Sequence, residues 1–212
     1  EIFSSLKFIE GTQGQVWSLQ LINGHLYCGH NNGLLEICPD FSIRQLYRLN
    51  TGVFRIVEAT INGKKIQIIV TYNELRIVNK ETGKVNVMRQ ITDPIYDAEI
   101  DHLGNIWLET VSKGIYKCRL NEDMDAFRYY TYYGHEKDCT LPIHLQIFKT
   151  SGRVIFLGSG NHFYSYDENS DTLQPNQLLN QCFQNINNIK RIVSINSEES
   201  WAITGPSIYR FF

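Results

Sequence analysis

The side chains best placed to do chemistry are four carboxylates within nine residues, Asp93, Asp97, Glu99 and Asp101. In an extended strand Asp97, Glu99 and Asp101 alternate onto one face. A glycoside hydrolase needs two carboxylates roughly 5 to 10 Å apart across its sugar. Spacing alone is all this run offers, and Asp101 falls at a turn of the repeating unit described below, where a carboxylate serves the backbone. No G-x-S-x-G, H-E-x-x-H or phosphate-cradling glycine loop occurs, and no nucleophile stands beside a base. No catalytic residue is therefore assigned. His25, Cys28 and His30 invite a zinc reading, since Cys28 and His30 share a strand face, but third and fourth ligands at suitable spacing are missing. The residues imply neither a metal nor a cofactor.

A third set suits binding. Asn31, Asn32, Tyr72, Asn73, His135, Asn161 and His162 bring amides, hydroxyls and rings to connecting loops. A neutral polyol asks for such groups, because every hydroxyl it buries must be hydrogen-bonded. The same residues are also ordinary turn formers, which is the competing reading. Trp17, Phe54, Tyr96 and His144 each stand second in a short strand, and serve either as packing or as a stacking surface for a sugar.

What must position these groups is a hairpin, clearest from Asp101 to Leu120. Gly104-Asn105 turns, Ile106 to Thr110 runs as a strand, Ser112 to Gly114 turns again and Ile115 to Leu120 returns. The unit recurs. Small polar residues His30, Thr71, Thr110, Ser159 and Thr204 close the first strand of successive copies, each three residues after a bulky one: Tyr27, Ile68, Trp107, Phe156, Trp201. The spacing, 39 to 49 residues, is that of a four-stranded propeller blade. Inner strands precede the hairpins at Val16 to Leu21, Val53 to Ala59, Ile95 to Ile100, Ile143 to Phe148 and Ile189 to Ile195. Polar outer strands follow, and Asn23-Gly24, Asn62-Gly63 and Ser151-Gly152 supply the positive φ of tight turns. Since no such sheet can bury both faces alone, the copies must pack on one another.

The expected fold is all-β, a β-propeller of four-stranded antiparallel blades. About five are present, at approximately 11–52, 53–92, 93–140, 141–186 and 187–212, as part of a larger propeller. Residues 1–10 would add an outer strand to a preceding or closing blade. Composition agrees: 212 residues, 42% hydrophobic, with 12 Tyr and 11 Phe against 5 Pro. A net charge of −2 gives no footprint for nucleic acid or an anionic membrane, and no run of about 18 apolar residues is present. Cys28, Cys38, Cys118, Cys139 and Cys182 cannot all pair within one chain and read as mostly buried thiols. Glu1 is not an initiator Met, so the segment is expected to come from something longer.

The run Asp101-His102-Leu103-Gly104-Asn105-Ile106-Trp107-Leu108-Glu109-Thr110, then Gly114-Ile115-Tyr116, resembles the bacterial two-component-regulator propeller repeat, D-x-x-G-N-[IL]-W-[LIV]-G-T followed by G-[LI]-x-[RK]. Glu109 replaces the usual Gly, and the other copies are more degraded. Gln15-Val16-Trp17-Ser18, Cys28 to Gly33, Tyr132-Tyr133-Gly134 and Tyr164 to Asp167 resemble the subgroup whose blades precede a triple-tyrosine domain. The resemblance implies a non-catalytic, periplasmic sensor of a membrane-bound regulator. A membrane helix and a histidine kinase or helix-turn-helix output would follow, and a carbohydrate or other neutral molecule would be the ligand. Apart from the resemblance, association of two chains as a homodimer would cover the open blade edges. A protein-interaction propeller without a small-molecule ligand is the alternative, and a propeller glycoside hydrolase or lyase the third.

Overall fold

The computed structural model of the chain describes residues 7–150, 152–196 and 198–211. Four sheets have four antiparallel strands each, taken in chain order from the inside outward. The first comprises β1 (Val16–Ile22), β2 (His25–His30), β3 (Gly33–Ile37) and β4 (Ile43–Arg48); the second β5 (Val53–Ile61), β6 (Lys64–Thr71), β7 (Leu75–Asn79) and β8 (Val85–Met88). The third runs β9 (Ile95–Ile100), β10 (Ile106–Thr110), β11 (Ile115–Leu120) and β12 (Phe127–Tyr133). The fourth runs β13 (Leu145–Thr150), β14 (Arg153–Gly158), β15 (His162–Asp167) and β16 (Thr172–Pro175). A helix, α1 (Gln177–Cys182), leads to the fifth sheet, β17 (Arg191–Ser194), β18 (Ser200–Ile203) and β19 (Ile208–Phe211). This is a β-propeller of five blades, the last with three strands among the described residues.

Turn chemistry fixes the hairpins. Asn23-Gly24 and Asn62-Gly63 hold φ of 51°, 82°, 50° and 76°, the paired left-handed conformations that a two-residue turn demands. Gly152 and Gly104 are left-handed too, at 73° and 79°; Ser151 lies outside the described residues. At the opposite end Thr71, Thr110 and Thr204 repeat one device. Each hydroxyl donates to a carbonyl three or four residues on, at 2.9, 2.9 and 3.0 Å, and accepts the N–H of the third residue.

Packing is between blades. Ile68, Val70 and Ile77 of the second blade meet Ala98, Ile106 and Leu108 of the third, while Trp107 and Ile115 of the third meet Leu145, Ile147 and Phe156 of the fourth. Each seam is also stapled by a side chain to the next main chain. Gln20 donates to the Ile56 carbonyl at 3.1 Å and accepts its N–H at 2.8 Å, and Gln90 treats Phe127 likewise at 2.7 and 2.6 Å. Glu109 accepts the N–H of Ile147 at 2.8 Å, and Asn161 accepts that of Ile189 at 3.1 Å. Innermost strands follow one another, β1 on β5, β5 on β9, β9 on β13 and β13 on β17. No contact of comparable extent joins β17 to β1 among the described residues, and the end blades expose Leu19, Leu21 and Ile208. No helix among those residues is long and apolar enough to cross a membrane.

Several sequence readings need correction. In the fourth blade the repeat slips by one: Phe156 turns back onto the third blade with Trp107, while Ile155 and Leu157 face the fifth. The cause is that β14 runs on to Gly158 and ends in one 3-10 turn, 159–161, so Ser159 cannot make the threonine turn. The inner strand there begins at Leu145, after Pro142, and α1 is an element the strand pattern did not foresee. Asn176 caps it, accepting from Leu179 N–H at 2.9 Å. Most of the run Ile2 to Ile9 lies outside the described residues, and residues 7–9 form no strand; Ile9 packs on Cys28, Leu35 and Ile37. Cys28 and Cys118 are buried, but Cys139 and Cys182, on a loop and on α1, are exposed.

Candidate functional site

Because every sheet is antiparallel, the turns β2–β3, β6–β7 and β14–β15 and the links between blades open at one end of the molecule. Four aromatic rings gather there. Trp17 meets Phe54 edge-on at 5.1 Å between centroids, and Phe54 meets both Tyr72 and Tyr96 at 6.1 Å. They come from β1, β5, the β6–β7 turn and β9, so three blades contribute to one arc. Phe54 is half-buried at its centre, whereas Trp17, Tyr72 and Tyr96 are 45%, 62% and 53% exposed. Rings so open are not core anchors; they offer apolar faces to something outside. The Trp17 indole lies on Gly52, where a Cβ would come within 2.4 Å of Nε1. Only glycine leaves room for that pose.

Beside Tyr96 the inner strands enclose a cavity of about 560 Å³, walled by β5, β9, β13 and β17 and the end of β10. Its polar floor is Arg55, Asp97, Glu99 and Glu109. Arg55 reaches two carboxylates: its Nη2 donates to Glu99, and its Nε stands 3.0 Å from Asp97 without an aligned hydrogen bond. Asp97 sits directly across the β9–β10 ladder from Glu109. Burial drives both carboxyls up. Asp97 rises to about 6 despite the Arg55 charge, and Glu109 rises to about 8 despite the Ile147 N–H it accepts. At neutral pH Glu109 therefore mostly holds its proton, and Asp97 is the mostly ionised partner of the two.

The four carboxylates of the sequence are thus divided. Asp101 serves its turn, accepting from the N–H groups of Leu103 and Asn105 and from Trp107 Nε1 at 2.8 Å, and Asp93 accepts from Tyr116 Oη at 2.6 Å. Only Asp97 and Glu99 face the cavity. His25 and Cys28 point to opposite faces of β2: His25 pairs with Glu36 at 2.7 Å, while Cys28 packs against Leu35.

The loop residues read as a binding set are distributed around the rim. Tyr72 belongs to the arc, and with Asn73 also lines a cleft of about 320 Å³ between the second and third blades. Asn31, Asn32 and His162 are exposed. His135 is exposed and engages the Leu141 carbonyl at 2.8 Å, closing its own loop. Both ends of the Asn161 amide are committed, to Ile186 and Ile189 main chain. No hydrogen bond or ring contact joins these seven to one another among the described residues. His144 stays exposed outside the arc. Arg55, Glu109, Gln146 and Arg191 line the cavity unannounced by any motif; the signal for Glu109 was its substitution for the repeat's glycine.

No family model matches the sequence, and no curated protein matches it. Solved structures do resemble it. The extracellular domain of BT4673 from B. thetaiotaomicron, assigned as a hybrid two component system, is similar over 98% of this chain and 27% of its own, with 16% identity and a TM-score of 0.62. YCF48 from Cyanidioschyzon merolae is similar over 98% of this chain and 72% of its own, at 11% identity and 0.60, and another YCF48 structure carries a bound D1 peptide. PorZ, a surface component of the type-IX secretion system of Porphyromonas gingivalis, is similar over 92% and 24%, at 9% and 0.58. The chain thus spans about a quarter of the length of the BT4673 domain. What these likenesses share with it is the fold: the chain is a β-propeller, similar to a stretch of the BT4673 extracellular domain.

Proposed function

We propose that this chain is the non-catalytic, extracytoplasmic sensing propeller of a membrane-bound bacterial regulator, located in the periplasm, and that it recognises a carbohydrate. The observation that carries the reading is the arc of Trp17, Phe54, Tyr72 and Tyr96 beside a polar cavity. Sugar rings present C–H faces that stack on aromatics and hydroxyls that need charged or amide partners, and both kinds of group adjoin at Tyr96. Asn31, Asn32, Asn73, His135, Asn161 and His162 form the outer rim of the same face in this reading. The test is a thermal-shift and calorimetric screen of oligosaccharides on the intact chain. A specific ligand raises the melting temperature by mass action, and Trp17→Ala or Tyr96→Ala abolishes the shift while leaving the unliganded melting temperature within about 2 °C, as befits exposed positions.

A second reading, a peptide-binding propeller, draws on YCF48, whose likeness includes a structure with a D1 peptide bound. Binding of a peptide library member at the arc, with no response to any saccharide, would favour it.

A further inference from the structure

The charges around the cavity do not balance, and the imbalance is local. Its lining holds the cations Arg55, Lys149, Lys190 and Arg191 against the carboxyls Asp97, Glu99 and Glu109. Arg55 is committed to Asp97 and Glu99 together, and Lys149 donates to the Ile100 carbonyl at 2.9 Å. Glu109, proton-bearing at neutral pH through burial, neutralises nothing. That leaves the wall contributed by the fifth blade. Arg191 opens β17 and Lys190 immediately precedes it; both are exposed and both line the cavity. Among the described residues no hydrogen bond or ion pair engages either side chain. The Arg191 charge is nonetheless felt by Asp97 and Glu109, lowering both, so the guanidinium stands within electrostatic reach of the floor.

An unpaired arginine over a cavity is a built receptor for a planar anion, because its fork meets a carboxylate through two parallel N–H bonds. A neutral sugar would leave that fork facing only water. We propose that the cavity takes the carboxylate of an acidic sugar unit, a uronic acid, with Arg191 as its bidentate partner and Lys190 as the second cation. Gln146 and Tyr96 on neighbouring walls supply partners for ring hydroxyls. The inference rests on the carbohydrate reading above and narrows it from saccharides at large to anionic ones.

The experiment uses the intact chain and paired probes that differ only in charge: oligomers of galacturonic, glucuronic and mannuronic acid, each beside its methyl-ester form, plus a sulfated oligosaccharide of similar length. At least one free acid is expected to bind about tenfold or more tightly than its ester, the worth of one charge-assisted contact. Arg191→Gln is expected to erase that difference by weakening the acid to the level of its ester, with Lys190→Gln weakening the acid less. Both positions are exposed, so an unchanged melting temperature certifies that each variant is folded. Equal binding of acid and ester, or a preference that survives Arg191→Gln, would overturn the inference and spare the carbohydrate reading. A preference for the sulfated probe lost in Arg191→Gln would keep a cationic site but overturn carboxylate as its ligand. Silence from every acid and every ester would overturn both.

Discussion

Trp107 and Trp201 occupy the same place in two blades and lead opposite lives. Trp107 is fully buried, with Phe156 at 4.8 Å, Tyr166 at 5.1 Å and Tyr133 at 5.7 Å, and its Nε1 donates to the buried Asp101. Trp201 faces away from the fourth blade and is 38% exposed, with Nε1 on Glu199 and no further blade against it among the described residues. The contrast shows where a propeller's stability resides. A blade does not enclose its own anchor; the next blade does, and the same side chain is core or surface according to whether that neighbour is present.

The largest expected effect separates the two tryptophans directly. Trp107→Ala should destabilise the chain by about 3–5 kcal/mol, as for a fully buried aromatic, and Trp201→Ala by about 1 kcal/mol or less. Chemical denaturation of the two variants reads the difference. Equal losses would mean that Trp201 is covered in solution and that the comparison fails. Glu109→Gln probes the same seam electrostatically. A carboxyl whose folded value lies near 8 contributes its full stability below its unfolded value near 4.5, and loses it as pH rises through 8. Wild type should therefore lose on the order of 3 kcal/mol between pH 5 and 9 at this site, while the glutamine variant, which still accepts the Ile147 N–H, keeps only the shallower slope set by Asp97, complete by about pH 7. Urea melts at pH 5, 7 and 9 decide it.

A smaller effect belongs to Lys117, whose ammonium is buried between blades, bound to Tyr166 and Asp171 and 4.4 Å from the Tyr166 ring centroid. Lys117→Met should cost about 1–2 kcal/mol, since Asp171 is half exposed and can be solvated once its partner is gone. The smallest difference is the sharpest control. Thr110→Val and Thr204→Val each remove a turn hydroxyl whose partners lie inside one blade, and both should cost about 1 kcal/mol. Here the third and fifth blades ought to agree, because no neighbour takes part.

What the sequence revealed follows the same division between local and assembled structure. Hairpin turns, strand alternation and the period of about 40 residues are local, and the strands of the third blade end where Gly104, Thr110 and Gly114 imply. The slip in the fourth blade was hidden because Phe156 is the bulkiest residue of β14 and attracts the alignment, whereas the preceding Ile155, on the face toward the fifth blade, holds the equivalent position. Helix α1 was masked by an Asn- and Gln-rich stretch in which Asn176, the cap, looks like any turn former. For the site, Trp17, Phe54 and Tyr96 stood out as second residues of their strands, but only packing brings them together with Tyr72. Arg55, Glu109 and Arg191 carry no mutual spacing at all; they meet because their strands are laid side by side round an axis.

The staples across the seams have a genetic corollary. Gln20, Gln90, Glu109 and Asn161 each accept a backbone N–H, and a backbone N–H is common to every residue but proline. Positions 56, 127, 147 and 189 are buried and so remain apolar, but any such residue other than proline presents the same N–H, and the staple itself constrains only the codon of the blade that supplies the side chain. A duplicated module attached in this one-sided way tolerates independent mutation of its copies, which is why neighbours that differ so much in letters still dock.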